Sequence, residues 1–123
     1  MGVGSSIDEA GMYIEISVQG VQAKFLIDTG ATLTLLFSTM YEKIAENTRP
    51  KLQKINQSIL AANGSELSIK DKTDLTLNIE GVVLYTTAVI AEIQADGKLG
   101  LDFLLSNACT VDMSERLLHI LKR

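Results

Sequence analysis

Asp28-Thr29-Gly30-Ala31 is the segment whose residue types can do chemistry. It follows an apolar run, Phe25-Leu26-Ile27, and leads into another, Leu33-Thr34-Leu35-Leu36-Phe37. A carboxylate in such a stretch is costly unless it is paired, hydrogen-bonded or used. A solvated Asp is ionised at neutral pH, so it can take a proton but has none to give. Hydrolysis of a peptide bond by activated water needs both a base and an acid. Two carboxylates in contact supply both, because they cannot both ionise cheaply and therefore share one proton. The chain carries one Asp-Thr-Gly. The simplest source of a second carboxylate is Asp28 of another copy, met across a twofold axis. The neighbours suit that use. Gly30 permits a tight turn, Thr29 offers a hydroxyl that can bond across the axis, and Ala31 is small enough to border a substrate channel. The plainer reading of Asp28 is a local turn, its side chain accepting a backbone N–H two residues on.

The surrounding pattern is that of strands. Ile14, Ile16 and Val18 alternate with Glu15, Ser17 and Gln19, and Ala23 to Ile27 follows after Gly20, which reads as a hairpin delivering Asp28 at its end. Thr32 to Phe37 reads as a strand. A short helix follows, with capping-box spacing between Thr39 and Glu42 and a stop at Asn47 to Pro50. Asn63-Gly64, between Ile59-Leu60 and Leu67-Ser68-Ile69, marks a hairpin turn. That hairpin, Ala61-Ala62-Asn63-Gly64-Ser65, is a candidate to close over an extended peptide. Leu75, Leu77 and Ile79 alternate with polar residues, and Val82 to Ile90 is apolar on both faces, as a central strand would be. Gln94 to Lys98 reads as a polar loop. Leu101 to Leu105 reads as a helix after Gly100, with Asp102 in its first turn, where the helix dipole favours negative charge, and Asn107 as its stop. Thr110 to Met113 and Leu117 to Leu121 read as terminal strands. Leu99-Gly100 is placed to pack under the Asp28 loop.

Composition narrows the classes. At 123 residues with 46% hydrophobic content, the chain reads as a single globular domain over 11–123 behind a flexible lead over 1–10. Met1-Gly2-Val3-Gly4-Ser5-Ser6 also fits a loose myristoylation pattern, but small residues at a start are more commonly such a lead. The formal net charge is −4 and the basic residues are scattered, which argues against nucleic acid as a partner. Cys109 and His119 are the sole cysteine and histidine, too few for a closed zinc site, so neither metal nor cofactor is expected. A lone thiol excludes an intrachain disulfide, so the fold does not depend on an oxidising compartment. The longest apolar stretch, Val82 to Ile93, is too short to cross a membrane and holds Thr86, Thr87 and Glu92.

A given tripeptide arises by chance in roughly 2–3% of chains of this length. The apolar flanks, the hairpin around Asn63-Gly64 and the later Leu99-Gly100-Leu101-Asp102-Phe103-Leu104 make the whole more specific. On these residues the chain resembles the retropepsins, the aspartic proteases of retroviruses and LTR retrotransposons. Gly100-Leu101-Asp102-Phe103-Leu104 and Val111-Asp112-Met113 look most like the gypsy-type retrotransposon enzymes. The resemblance implies a mostly β protein, a retropepsin-like closed β-barrel (the acid protease fold) with one short C-terminal helix, assembled as a twofold homodimer. It implies Asp28, Thr29 and Gly30 as the catalytic loop and Ala31 with Ala61 to Ser65 as substrate-binding. It further implies chain ends that contribute to the dimer sheet, and an extended polyprotein substrate with apolar side chains near the cut. Some retropepsins carry an acid after Asp-Thr-Gly-Ala and an Arg after the later Gly. Here those positions are Thr32 and Leu101, so both members of that pair are absent together. Such a protease would work in the cytoplasm or in virus-like particles. Two related readings stay open: a cellular retropepsin-like domain of the DNA-damage-inducible type, and a catalytically silent dimerisation module.

Overall fold

A computed structural model gives the architecture, and it describes residues 1–9, 11–60 and 66–121. The first half of the described chain forms strands β1 (Gly2–Gly4), β2 (Ser6–Asp8), β3 (Gly11–Val18), β4 (Val21–Ile27) and β5 (Leu35–Phe37), then helix α1 (Ser38–Lys43). The second half forms β6 (Gln53–Leu60), β7 (Glu66–Ile79), β8 (Val82–Ala91), β9 (Gly97–Leu99), helix α2 (Leu101–Ser106), β10 (Cys109–Asp112) and β11 (Leu117–Ile120). The protein is therefore mostly β, as expected, with two short helices, near the two places where the sequence pattern predicts them; the resemblance had implied only the C-terminal one.

The alternating strands close on themselves. Six of them follow one another in the order β3-β4-β9-β5-β8-β7, and β7 returns to β3 through Ser17↔Asn78 and Val18↔Leu77. This is the closed barrel implied by the resemblance. The ring pairs the six barrel strands with one another, and β2 and β6 remain as the two ends of the eight-stranded sheet. One edge of β3 is divided, its first half pairing with β2 and its last residues with β7. The period-2 residues face the interior: Ile14, Ile16 and Val18 from β3, Leu75, Leu77 and Ile79 from β7. They meet Phe25, Leu36, Leu99 and, from α2, Phe103 in one aliphatic core. β8 is central in order, and its two faces differ along its length. Leu84 and Ala88 point into the main core while Val83 and Tyr85 face solvent, and Val89, on the face opposite Ala88, is buried in a second small cluster with Leu35.

Three expectations are corrected. Residues 1–10 do not form a flexible lead over the described positions. Val3 is buried opposite Leu118, and β1 joins β11 and β10 in a three-stranded sheet. The Ile120 N–H donates to the Met1 carbonyl at 2.8 Å and the Met1 amine to the Ile120 carbonyl at 3.0 Å. A burial site for one valine and a partner strand outweigh the weak local preference of a Gly/Ser segment. The polar stretch Gln94 to Lys98 is not all loop, since Gly97 and Lys98 belong to β9, inserted between β4 and β5. Gly97 makes that possible: a Cβ there would lie 2.4 Å from the Phe25 ring, which fills the space. The helix expected around Thr39 begins one residue earlier and ends at Lys43, with Phe37 as N-cap and no side-chain cap, so the Thr39/Glu42 box does not form. Arg49 and Tyr41 hold the chain beyond it, through the Ile44 and Pro50 carbonyls respectively.

The Phe25–Gly97 contact yields a stability test. Gly97→Ala should lower the unfolding free energy by roughly 1–3 kcal/mol, the usual cost of overpacking. Gly4→Ala, with nothing within 4 Å of the added Cβ, should change it little. Urea denaturation of both variants measures the difference.

Candidate active site

Asp28 follows the last residue of β4, and the loop it opens is held by backbone bonds to the segment around Gly100. The Asp28 N–H donates to the Leu99 carbonyl at 3.0 Å. The Leu101 N–H donates to the Ala31 carbonyl at 2.8 Å, and the Asp102 N–H to the Thr32 carbonyl at 3.1 Å. Leu99-Gly100 thus packs under the loop as anticipated. Gly100 is required there, because a Cβ would fall 2.4 Å from the Leu33 carbonyl oxygen. Positions 32 and 101, which lack the acid–Arg pair of some retropepsins, lie beside these two backbone bonds, so the loop is tied without side-chain charge.

A second tie was not read from the sequence. Asp102 accepts the Thr34 hydroxyl at 2.7 Å through Oδ1 and the Thr34 N–H at 3.1 Å through Oδ2. Thr34 is fully buried, and its hydroxyl oxygen in turn accepts the buried Gly100 N–H at 3.2 Å. Asp102 Oδ1 also accepts its neighbour's N–H, from Phe103, at 2.7 Å. Asp102 therefore does more than complement the helix dipole: it clips the two crossing segments together. This explains why the strand expected over Thr32 to Phe37 starts only at Leu35. The Thr34 N–H is used by a carboxylate, and the carbonyls of Ala31 and Thr32 are taken by α2.

The Asp28 carboxylate is itself engaged on both oxygens. Oδ1 accepts the Gly30 N–H at 3.0 Å, the local turn that was the plainer reading of this residue. Oδ2 lies 3.6 Å from Lys98 Nζ. The turn and the chemical role are compatible, since the bond to Gly30 fixes the carboxylate's direction while the side chain stays partly accessible, at 23%. Thr29 and Gly30 are exposed, and Ala31 is half-buried. Asp28, Thr29, Gly30 and Ala31 are thus brought together as one loop. The candidate substrate residues Ala61, Ala62, Asn63, Gly64 and Ser65 lie outside the described residues, although the strands they join, β6 and β7, pair through Leu60↔Glu66. Sequence reasoning missed Thr34 and Lys98. Each had a signal, a hydroxyl inside an apolar run and a cation directly before Leu99-Gly100.

The other reactive candidates are inert here. Cys109 and His119 sit on adjacent strands but are not register partners, Cys109 facing Ile120 and His119 facing Thr110. Burial pushes the Cys109 thiol up to about 11, the reverse of an activated thiolate. Among the described residues no group of three or more His, Cys, Asp or Glu could hold a metal ion, and no helix is long and apolar enough to cross a membrane.

Comparison with known proteins agrees with this geometry. The family model described as "gag-polyprotein putative aspartyl protease" matches residues 14–106, and the chain belongs to that family. Its fold is that of retroviral proteases. An inhibitor complex of EIAV protease superposes with a TM-score of 0.68 at 20% identity, covering 82% of this chain and 91% of that one. The retroviral protease-like domain of Ddi1 from Leishmania major gives 0.67 at 16% identity, covering 88% and 82%. Uncharacterized protein K02A2.6 of Caenorhabditis elegans is 28% identical over 96 residues, 78% of this chain. The match spans only 7% of that protein's length.

Two measurements test the site's scaffold. Thr34→Val should cost roughly 1–3 kcal/mol in urea unfolding, because it strands the buried Gly100 N–H and removes a donor to Asp102. With the thiol at about 11, Cys109 should react with iodoacetamide at pH 8 roughly a hundredfold more slowly in the native chain than in urea, as read by mass spectrometry.

Proposed function

We propose that this chain is half of a homodimeric aspartic endopeptidase, in which Asp28 and its copy face each other and activate a water between them. The observation that carries the reading is the state of the Asp28 loop: a partly accessible carboxylate aimed by Gly30, on a loop stapled from beneath, with Thr29 and Gly30 exposed. A rigid frame beneath a solvent-facing catalytic loop is what a site completed by a second copy requires. Family membership and the retroviral protease fold support the class of reaction.

In the assembled site one carboxylate takes a proton from water as the water attacks the scissile carbonyl. The partner's carboxyl donates its proton to the developing oxyanion. The C–N bond then breaks: the proton taken from water passes to the leaving amine, and one hydroxyl of the tetrahedral gem-diol returns its proton to the other carboxylate as the carbonyl re-forms, so the pair again holds one proton. In this reading Thr29, exposed on the same loop, bonds across the axis and holds the two loops at contact distance. The substrate is an extended peptide, bound as an added strand. The gag-polyprotein family description favours a retroelement polyprotein as that substrate. The similarity to a Ddi1 domain keeps a cellular target as the second reading.

Asp28→Asn tests the reading. The amide cannot act as base, so cleavage of a peptide library should fall by about 10³-fold or more, while circular dichroism stays unchanged. Cleavage by the Asn variant at the wild-type rate refutes it. Sedimentation at several concentrations should show a monomer–dimer equilibrium, with specific activity falling as the dimer dissociates.

A further inference from the structure

Among the described residues Lys98 is the cation that forms an ion pair with Asp28, and nothing in the mechanism above uses it. Its place follows from the fold. β9 is inserted between β4 and β5, with Lys98 opposite Leu26 on one side and Leu35 on the other. Its neighbours Gly97 and Leu99 are buried, Gly97 against Phe25 and Leu99 in the core. Strand alternation therefore turns Lys98 to the other face, where Asp28 lies, and its side chain keeps 26% of its surface accessible. The result is an ammonium 3.6 Å from the candidate catalytic carboxylate.

Charge counting gives that placement a consequence. In one chain, Lys98 and Asp28 balance. In the homodimer proposed above, two Asp28 carboxylates sharing one proton carry a single negative charge, while two Lys98 carry two positive ones. Assembly thus leaves one positive charge in excess beside the scissile bond. We propose that Lys98 is a specificity-determining residue, selecting peptides with an acidic side chain next to the cleavage point. A Glu or Asp there neutralises the excess, a neutral side chain leaves it uncompensated, and a Lys or Arg adds to it. The four-carbon stem lets the ammonium turn from Asp28 toward a substrate carboxylate without backbone movement. This refines the apolar preference implied by the family resemblance at one position, and it rests on the homodimeric reading.

The test uses eight-residue apolar peptides identical except for the residue preceding the scissile bond, which is Glu, Gln or Lys. The wild type should rank them Glu over Gln over Lys in kcat/KM, by about 5-fold per step, the effect of a partly exposed charge pair. The preference should appear mainly in KM. Lys98→Met should bring the three within about 2-fold, and Lys98→Glu should reverse the order. An unchanged ranking in Lys98→Met, or an equal loss of kcat for all three peptides, overturns the proposal. The same peptides with a reduced amide at the cleavage position, titrated calorimetrically against the wild-type dimer, read the preference without turnover and without a variant. Their ranked affinities should converge as salt rises from about 0.05 to 0.5 M. Equal affinities at low salt, or binding of none, overturn the proposal. Ranked binding with no cleavage of any unmodified peptide overturns the peptidase reading and upholds the role of Lys98.

Discussion

The crossing of residues 31–34 with residues 99–102 is the constraint on which the rest depends. Two apolar segments meet there with their backbones in contact, so every N–H and C=O in the crossing needs a partner. Gly100 allows the approach, since any side chain would strike the Leu33 carbonyl. Backbone bonds from Leu101 and Asp102 satisfy the Ala31 and Thr32 carbonyls, the Asp102 carboxylate takes the Thr34 N–H and hydroxyl, and the Thr34 hydroxyl oxygen takes the Gly100 N–H. Every buried side-chain polar atom among the described residues has a partner, which a crossing of this closeness would otherwise fail to achieve. The Asp28 loop inherits its position from this crossing, because Asp28 is bonded to Leu99 and Ala31 to Leu101.

The same arrangement separates rigidity from reactivity. The buried hydroxyl and the Asp102 carboxylate hold the frame, while Asp28 one layer above remains accessible. Two aspartates in similar apolar surroundings thus take different roles. Asp102 is saturated by three protein donors. Asp28 has one backbone donor and a lysine at 3.6 Å and stays partly accessible, as the proposed role requires. The acid–Arg pair of some retropepsins is absent at positions 32 and 101, and in this chain backbone bonds and the Thr34–Asp102 contacts tie the two segments.

Much of the fold was legible along the chain. The period-2 runs of β3 and β7 alternate because one face of a barrel wall is dry, and alternation is visible without coordinates. Asp28 stood out because charge in an apolar run demands an explanation. The misreadings share one cause. Gly2–Gly4 and Gly97–Leu99 are short, weakly patterned strands that exist only because a slot is already built for them, by β11 in one case and by β4 and β5 in the other. Thr32 to Thr34 has strand composition, but the Thr32 carbonyl accepts from α2 and the Thr34 N–H donates to a carboxylate. In each case a tertiary partner overrode local preference.

The sequence by itself determined most of the strands, the carboxylate at the end of one of them and the singleness of that carboxylate, which follow from periodicity and from the cost of an unused charge, both local properties. The class and the closed barrel were legible only through the resemblance carried by its motifs. Only the tertiary structure decided that Thr34 and Asp102 clip the loop, and that Lys98 stands beside Asp28 from a position 70 residues further along the chain. Contacts between such distant residues depend on how strands are ordered in the closed sheet. Nothing in the local pattern of either segment encodes that order.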